Sequence, residues 1–505
     1  KKEIRQAEEI IEIKKDAILE YISGQKTLID TYEAEGNTAE NARKIVAVYE
    51  DITALATKHH IEPDVLYEYA FFLHQRQYQK SLEIAQRLEH WYALEPDTSA
   101  VQRAALSNLM GLDYSAQNDF AAAEEQYQEA LKIYRDLSEK NPNAYLPVLA
   151  TSCNNLADLL QDTGSFKEAE ERHREALKIC RELAGKDPDA YLSDLSYSCN
   201  NLAGLLCDIG SFREAEELHR EALKIRRNLA EKNPDVYLPV LAENCNNLAG
   251  LLCDTGSFRE AEELYREALK IYRDLVEKNP DAYLPDLALG CNNLAGLLCD
   301  TGSFKEAEEL LQESLKIRRE LSEKYPDAYL PDLATSCNNL ANLLQDTGSF
   351  KEAEGLHREN LKICRDLSEK DSDAYLPVLA LSCNNLAGLL CDTGSFKEAE
   401  ELYREALKIR RELAEKNPDA YLPDLAIGCN NLACLLSDTG FSKEAEELYQ
   451  EALKIRRNLA EENPEVHLPE LQLVCDNLTT LLRKTGHWVK AIRLKHEVAE
   501  FFKLQ

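Results

Sequence analysis

Paired asparagines recur through most of this chain, and their carboxamides are its most repeated chemistry. The second residue of each pair is Asn155, Asn201, Asn247, Asn293, Asn339, Asn385, Asn431 and Asn477, in steps of 46. A carboxamide offers two N–H donors and a carbonyl acceptor. A column of them can therefore pair with both polar groups of an extended backbone without reading its side chains. Seven residues after each Asn runs an acidic column, Asp162, Asp208, Asp254, Asp300, Asp346, Asp392 and Asp438, whose like charges would attract a basic segment. Four residues before each Asn the residue varies: Thr151, Tyr197, Glu243, Leu289, Thr335, Leu381, Ile427 and Leu473. Apolar groups exposed there would serve as contact anchors. At about 100° per residue, all three columns fall on one side of a helix. Gly204, Gly250, Gly296 and Gly388 lie on that side too and leave room. Each column has a second reading. The Asn pair could bond between neighbouring copies and stiffen them. The Asp could bond its own backbone in the Asp-Thr-Gly turn. The variable residue could pack on the preceding copy.

Other chemistry is sparse. Of 15 Cys, eight (Cys153, Cys199, Cys245, Cys291, Cys337, Cys383, Cys429 and Cys475) share the 46-residue step, which marks a packing position and not a disulfide framework. No CxxC pair and no Cys/His spacing suits zinc, so no metal and no cofactor is expected. Unpaired thiols in this number point to a reducing compartment and a cytoplasmic location. His173, His219 and His357 replace Tyr or Leu of other copies and read as core. His59 and His60 suit a helix C-terminus. No Gly-rich phosphate loop follows a strand, and no Ser/His/Asp set stands outside the repeats. A group repeated eight times does not make the single asymmetric constellation that catalysis needs. An enzyme is not expected.

The elements that position these columns follow from one copy, PDLALGCNNLAGLLCDTGSFKEAEELLQESLKIRRELSEKYPDAYL, residues 285–330. Apolar residues recur at three and four, so two amphipathic helices are predicted and no strand. The first opens at Pro285, where a missing N–H costs nothing, and stops at Thr-Gly. The second opens at Ser303 with Glu306 three residues on, a capping box, and stops at the next Pro-Asp. Counting back from Cys153, Ser107 and Phe120 keep the register, so nine units lie between about 101 and 505.

Numbering Cys245 as position 4 puts Leu248 at 7, Ala249 at 8, Gly256 at 15, Phe258 at 17, Ala261 at 20, Tyr265 at 24 and Ala268 at 27. This pattern resembles the tetratricopeptide repeat, whose small residues at 8 and 20 let paired helices approach closely. The unit is longer than that family's usual 34 residues, and its Leu-Asn-Asn-Leu-Ala helix is similar to the repeats of kinesin light chains. The resemblance implies an all-α fold, a right-handed α-solenoid or superhelix of tandem helix-turn-helix repeats. It also implies a non-enzymatic scaffold that binds a protein or peptide segment in its groove, with the Asn column on the ligand backbone.

The edges are less regular. Residues 1–60 read as two helices broken at Glu35-Gly36-Asn37, a cap or adaptor, and 61–100 as a degenerate unit. Eight regular units fill 101–468. Residues 469–505 form a capping repeat in which Lys484, Trp488, Lys490, Arg493 and Lys495 replace the acidic pattern and stop the stacking. Phe441-Ser442 inverts the usual Ser-Phe and displaces a core aromatic. A formal charge of −32 with no basic stripe excludes nucleic acid and disfavours anionic membranes. No run of eighteen apolar residues suggests a span. The regular first helices carry no Lys or Arg, which argues against acidic tails as ligands. The chain opens inside a helical pattern, so a second expectation is a sensor arm of a larger signalling or defence protein. Oligomeric state is open.

Overall fold

The structure is a computed structural model that describes residues 2–34, 39–59, 64–76, 80–94 and 98–504. The expected break at 35–37 and His60 lie outside what it describes, while His59 is the last residue of its helix. Among the described residues there are 22 helices and no strand. The chain divides into two compact units, Lys1–Leu251 and Leu252–Gln505. The first holds α1 (Lys2–Ala34), α2 (Ala39–His59), α3 (Asp64–Gln75), α4 (Lys80–Leu94), α5 (Ala100–Ala116), α6 (Phe120–Lys140), α7 (Pro142–Asp162), α8 (Phe166–Lys186), α9 (Pro188–Asp208), α10 (Phe212–Lys232) and most of α11 (Pro234–Asp254). The second holds α12 (Phe258–Lys278), α13 (Pro280–Asp300), α14 (Phe304–Lys324), α15 (Pro326–Asp346), α16 (Phe350–Lys370), α17 (Ser372–Asp392), α18 (Phe396–Lys416), α19 (Pro418–Thr439), α20 (Ser442–Glu462), α21 (Pro464–Lys484) and α22 (Trp488–Leu504). Successive helices pack on one another from α1 to α10 in the first unit and from α12 to α22 in the second. The fold is an all-α solenoid of repeats.

One helix pair shows why. In α13, Cys291, Leu294, Ala295 and Leu298 are buried on one side, and in α14 Ala307, Leu311 and Leu315 face them. The two alanines have no exposed surface, so the backbones close on each other there, and the leucines fill the space around them. Each buried leucine contributes about 1.5–3 kcal/mol. The turn between the helices is a Schellman motif. Gly302 takes φ 81°, its N–H donates to the carbonyl of Cys299, and the N–H of Ser303 donates to that of Leu298. The Thr301 hydroxyl caps the carbonyl of Leu297 at 3.0 Å. Asp300 is not needed to close this turn.

Three local expectations are corrected. First, Pro285 does not start its helix. Helix α13 begins at Pro280, which takes the N1 position after Asn279, and Pro285 sits inside. The Pro-Asp that ends one second helix therefore begins the next first helix, one turn earlier than expected. Second, Ser303 makes no side-chain cap bond. Its backbone, φ −87° and ψ 52°, lies outside the extended region that aims a cap hydroxyl at the helix, and Glu306 is engaged elsewhere. Both Glu306 oxygens accept from the guanidinium of Arg266, at 2.7 and 3.0 Å. Third, the aromatic of Ser-Phe is not core. Phe304 is 43% exposed at the helix start, and in the inverted unit Phe441 is the cap residue and also exposed, so the swap costs the core nothing.

The Arg266–Glu306 pair belongs to a ladder on the second helices. Arg174–Glu214, Arg358–Glu398 and Arg404–Glu444 repeat it, and Arg273–Glu313, Arg319–Glu359, Arg365–Glu405 and Arg411–Glu451 form a second rail. All are exposed pairs, each worth well under ~1 kcal/mol, but they stand in series, and those of the first rail are bidentate.

A second kind of seam lies deeper, where each second helix meets the next first helix and the repeats differ most. Cys180 faces Ser198, with Sγ and Oγ 3.3 Å apart. Tyr272 lies beneath Gly290. Buried Arg318 and Arg456 contact Asp332 and Glu470. Buried Arg410 fills the space below Gly428, where an added Cβ would stand 3.0 Å from its Nη1.

At the far end, α22 carries the expected basic residues, yet it also exposes Trp488, Val489 and Ile492, so it is not simply a polar cap. By length and composition alone α17 could cross a membrane, but it packs between α16 and α18 as the other first helices do between theirs.

Candidate binding face

The first helices bury one side and leave one side open. On the open side the variable column is exposed throughout its length: Tyr197 50%, Leu289 46%, Leu381 47%, Ile427 37% and Leu473 57%, with Thr151, Glu243 and Thr335 also exposed. The acidic column is exposed as well, at the last residues of the helices. Carboxylates at a helix C-terminus oppose the macrodipole, so they cost the fold a little stability. Gln161 donates to Asp208 at 2.6 Å and Gln345 to Asp392 at 2.7 Å. In the last unit Lys484 takes the Asp position and pairs with Asp438 at 3.5 Å.

Between these columns lie the asparagines, and they bond from repeat to repeat. Nδ2 of Asn339 donates to Oδ1 of Asn292, Asn385 to Asn338, Asn431 to Asn384 and Asn477 to Asn430, all at 2.9–3.0 Å. Asn247 reaches Asn200 at 3.4 Å, and Asn201 reaches Asp158 instead. The second Asn is half-buried in most repeats and exposed at Asn247. One amide proton is spent on the neighbour. The other proton and the carbonyl oxygen have no such partner, except at Asn431, whose Oδ1 also accepts from Asn430, and at Asn477, whose Nδ2 also reaches Sγ of Cys434 at 3.8 Å. Of the two uses that the sequence left open, the bond between neighbouring copies is the one made here.

The early helix start adds residues that the sequence reading missed. Three residues before the variable column, and beside it on the same open side, stand Val148, Asp194, Val240, Asp286, Asp332, Val378, Asp424 and Glu470. Val378 is exposed next to Leu381 and extends its apolar patch. The alternation of Pro-Val with Pro-Asp was the available signal.

Two of the three buried histidines bond asparagines of the first helices. Nδ1 of His173 donates to Oδ1 of Asn154, and His219 bonds Asn200 likewise, both at 3.1 Å. His357 is fully buried. Burial lowers all three imidazoles to about 4. Asp158, beside His173, moves the other way, raised to about 7 by burial and then by Asp162. Burial also pushes the thiols of Cys153, Cys199, Cys291, Cys337, Cys383 and Cys429 up to about 12, which makes them inert. All 15 cysteines are free and none is fully exposed. The fold does gather one Ser, Asp and His where the degenerate unit meets the first regular one. Ser81 Oγ donates to Asp113 at 2.7 Å, and His74 Nδ1 meets the other carboxylate oxygen at 2.7 Å. Here the serine is buried and bonded to the Asp and to the Ala70 carbonyl, not to the His, so the group ties α3, α4 and α5 together.

The histidines set an acid limb. An ordinary imidazole titrates near 6.5 and these near 4, so the unfolded chain takes up protons that the folded chain refuses. Stability present above pH 6.5 is lost as pH falls toward 4. Replacing His173, His219 and His357 by Tyr, the residue at this position in Tyr265, Tyr403 and Tyr449, should flatten that limb. Urea midpoints at pH 7 and pH 5 measure it, and an unchanged difference between them would rule the histidines out.

Family models described as tetratricopeptide repeat match residues 103–142, 149–189, 194–274, 287–326, 332–412 and 378–458, well over half of the chain. The chain is a tetratricopeptide-repeat protein. It is similar to three solved structures. One is BtubC (BKLC) from P. vanneervenii, at 26% identity, TM-score 0.41, covering 49% of this chain and 92% of that one. Another is a putative kinesin light chain of Podospora anserina with nearly identical repeats, at 22%, TM-score 0.36, covering 44% and 98%. The third is aspartyl phosphate phosphatase F from Bacillus subtilis, at 14%, TM-score 0.45, covering 78% and 94%. No curated protein matches it. As a tetratricopeptide-repeat protein it is a protein-interaction scaffold, and its partners are proteins or peptides.

Proposed function

We propose that this scaffold holds an extended, basic protein segment in the groove along its first helices. The observation that carries this is the composition of the open face. Leu289, Leu381, Ile427 and Leu473, joined by Val378, are exposed on an open face that otherwise carries mainly carboxamides and carboxylates. Exposed apolar side chains in register with polar ones fit a contact surface better than a solvated wall. In this reading the variable column supplies apolar anchors, Asn293, Asn339, Asn385, Asn431 and Asn477 hold the ligand backbone, and Asp254, Asp300, Asp346 and Asp392 receive Lys or Arg. Asn155, Asn201, Asn247 and Tyr197 offer the same chemistry in the first unit. No catalytic step is needed.

The acidic column gives the test. Changing Asp300, Asp346 and Asp392 together to Asn removes three charges from exposed sites and still leaves an oxygen at 392 for Gln345 to donate to. Affinity for a partner isolated from the native host should fall about tenfold at low salt, because each solvent-exposed pair contributes roughly 0.2–1 kcal/mol. At high salt the variant and the parent should bind alike. Equal affinity at low salt would remove the acidic column from the site.

A further inference from the structure

Helix α22 departs from its sister helices on its outer face. In α18 the residues Phe396, Lys397, Glu400, Glu401 and Arg404 share one side of the helix. The same positions in α22 are Trp488, Val489, Ile492, Arg493 and His496, and all five are exposed. Trp488 keeps 59% of its surface open, Val489 73% and Ile492 65%. The flanks change too, since Glu398 becomes Lys490 and Tyr403 becomes Lys495. From Trp488 to His496 the helix carries Lys490, Arg493 and Lys495 and no carboxylate. We infer that this face of α22 is a docking surface for an acidic segment of a partner protein, one that carries bulky apolar residues among its carboxylates. The face belongs to a second helix, so it is independent of the groove along the first helices.

The packing of the repeats does not call for these residues. Leu494 and Val498 join α22 to its neighbours from the other side of the helix. A further repeat stacked on α22 would leave the outer face open. Val489 corresponds to Arg213 and Arg259, whose side chains are 95% exposed although repeats follow them. Arg493 corresponds to Glu217 and Glu263, at 70% and 68%. Phe396, at the position of Trp488, is 45% exposed. Apolar side chains set together where the sister helices place charges mark a contact surface.

The charges select the occupant. Lys490 is held by Glu446 at 3.4 Å and Lys495 by Asp476 at 3.1 Å, one on each edge of the face. Arg493 lies between them and makes no ion pair among the described residues. A second copy of α22 would set these cations against their own kind. An anionic bilayer suits a face of Trp and cations, but it is wide. It would also meet the outer wall of α20, where the positions of Ile492 and Arg493 are Glu446 and Glu447, and the formal charge of −32 opposes it. A protein segment covers α22 alone. It brings carboxylates to Arg493 and apolar side chains to Trp488, Val489 and Ile492.

Tryptophan emission of the whole chain tests this. There are two tryptophans and Trp91 is buried, so a blue shift reports a cover over Trp488. The probes are short peptides: one mixing Glu with Leu and Phe, one with Gln for every Glu, and one with Ser for every Leu and Phe. The first should shift the emission and bind about tenfold tighter than either of the others at low salt. Val489→Lys, Ile492→Glu and Arg493→Glu together give α22 the residues that α20 carries, Lys443, Glu446 and Glu447, so helix content should hold while binding of the acidic peptide is lost. Leu381→Asp with Ile427→Asp should leave that binding unchanged. The inference is overturned if no peptide shifts the emission, or if the triple variant binds the acidic peptide as the parent does. It is overturned equally if phosphatidylserine vesicles shift the emission and the peptides do not, which would assign the face to lipid. A shift with protein concentration alone would assign it to a second copy and overturn it as well.

Discussion

Leu381→Asp combined with Ile427→Asp lowers partner affinity about 100-fold and leaves helix content and melting temperature nearly unchanged. The size follows from what each side chain has left to bury. Both already hide about half their surface, so a ligand that covers the rest gains roughly 1 kcal/mol at each. The substitution forfeits that gain and also places a carboxylate where an apolar group must dock, which adds a desolvation cost. Together the loss is about 3 kcal/mol, or two decades in Kd. The fold loses little, because neither residue is buried and Asp costs an exposed helix position only about 0.7 kcal/mol. Isothermal titration with circular dichroism separates the outcomes. Lost stability would make these residues core. Tighter binding, through two added charges, would mean that the ligand contact is electrostatic alone.

Leu386→Ala is the larger effect on the fold. This side chain has no exposed surface and sits between the helices of its pair. Removing it forfeits its transfer energy and leaves a cavity, about 2–5 kcal/mol. Helices here pack chiefly on their chain neighbours, so the loss should stay near its source. Hydrogen exchange should speed up across α17 and α18, less in α15 and α20, and not at all in α5 and α6. A uniform loss of protection over every helix would show that the array unfolds as one cooperative body.

Much of this fold was legible because a repeated sequence states its own packing several times. Cys291 and Ala295 could be placed in the core from their recurrence alone, and Leu381 and Asp392 on one open side from helical spacing. Helix starts were not legible. Pro280 and Pro285 are both plausible first residues, and only the continuous helix through Pro285 decides between them. That one-turn error hid Val378 and its counterparts. The capping box at Ser303 failed for a different reason. Glu306 has a better partner, a guanidinium 40 residues earlier, and local pattern reading does not see across repeats. His74, Ser81 and Asp113 were missed likewise, since no spacing announces that three helices will meet. For the open face, side was readable, and the bonds between asparagines stood as one of two readings that helical spacing alone does not decide.

The seams bear on how this sequence can change over generations. Genes made of near-copies gain and lose whole repeats by slippage, and a perfect copy would dock anywhere in the stack. These copies are not interchangeable where they touch. Arg410 occupies space that only Gly428 leaves open, and Arg318 and Arg456 each meet an acid that Val148, Val240 and Val378 do not offer. A deletion that joined Arg410 to the helix bearing Ser382 would press a side chain into the guanidinium and set it opposite Val378 instead of Asp424. The buried charge would then lack the acid beside it, at a cost of several kcal/mol. The seams thus work as an inherited parity check. Substitutions on the open face pass freely, while changes in the number or order of the repeats are exposed as misfits.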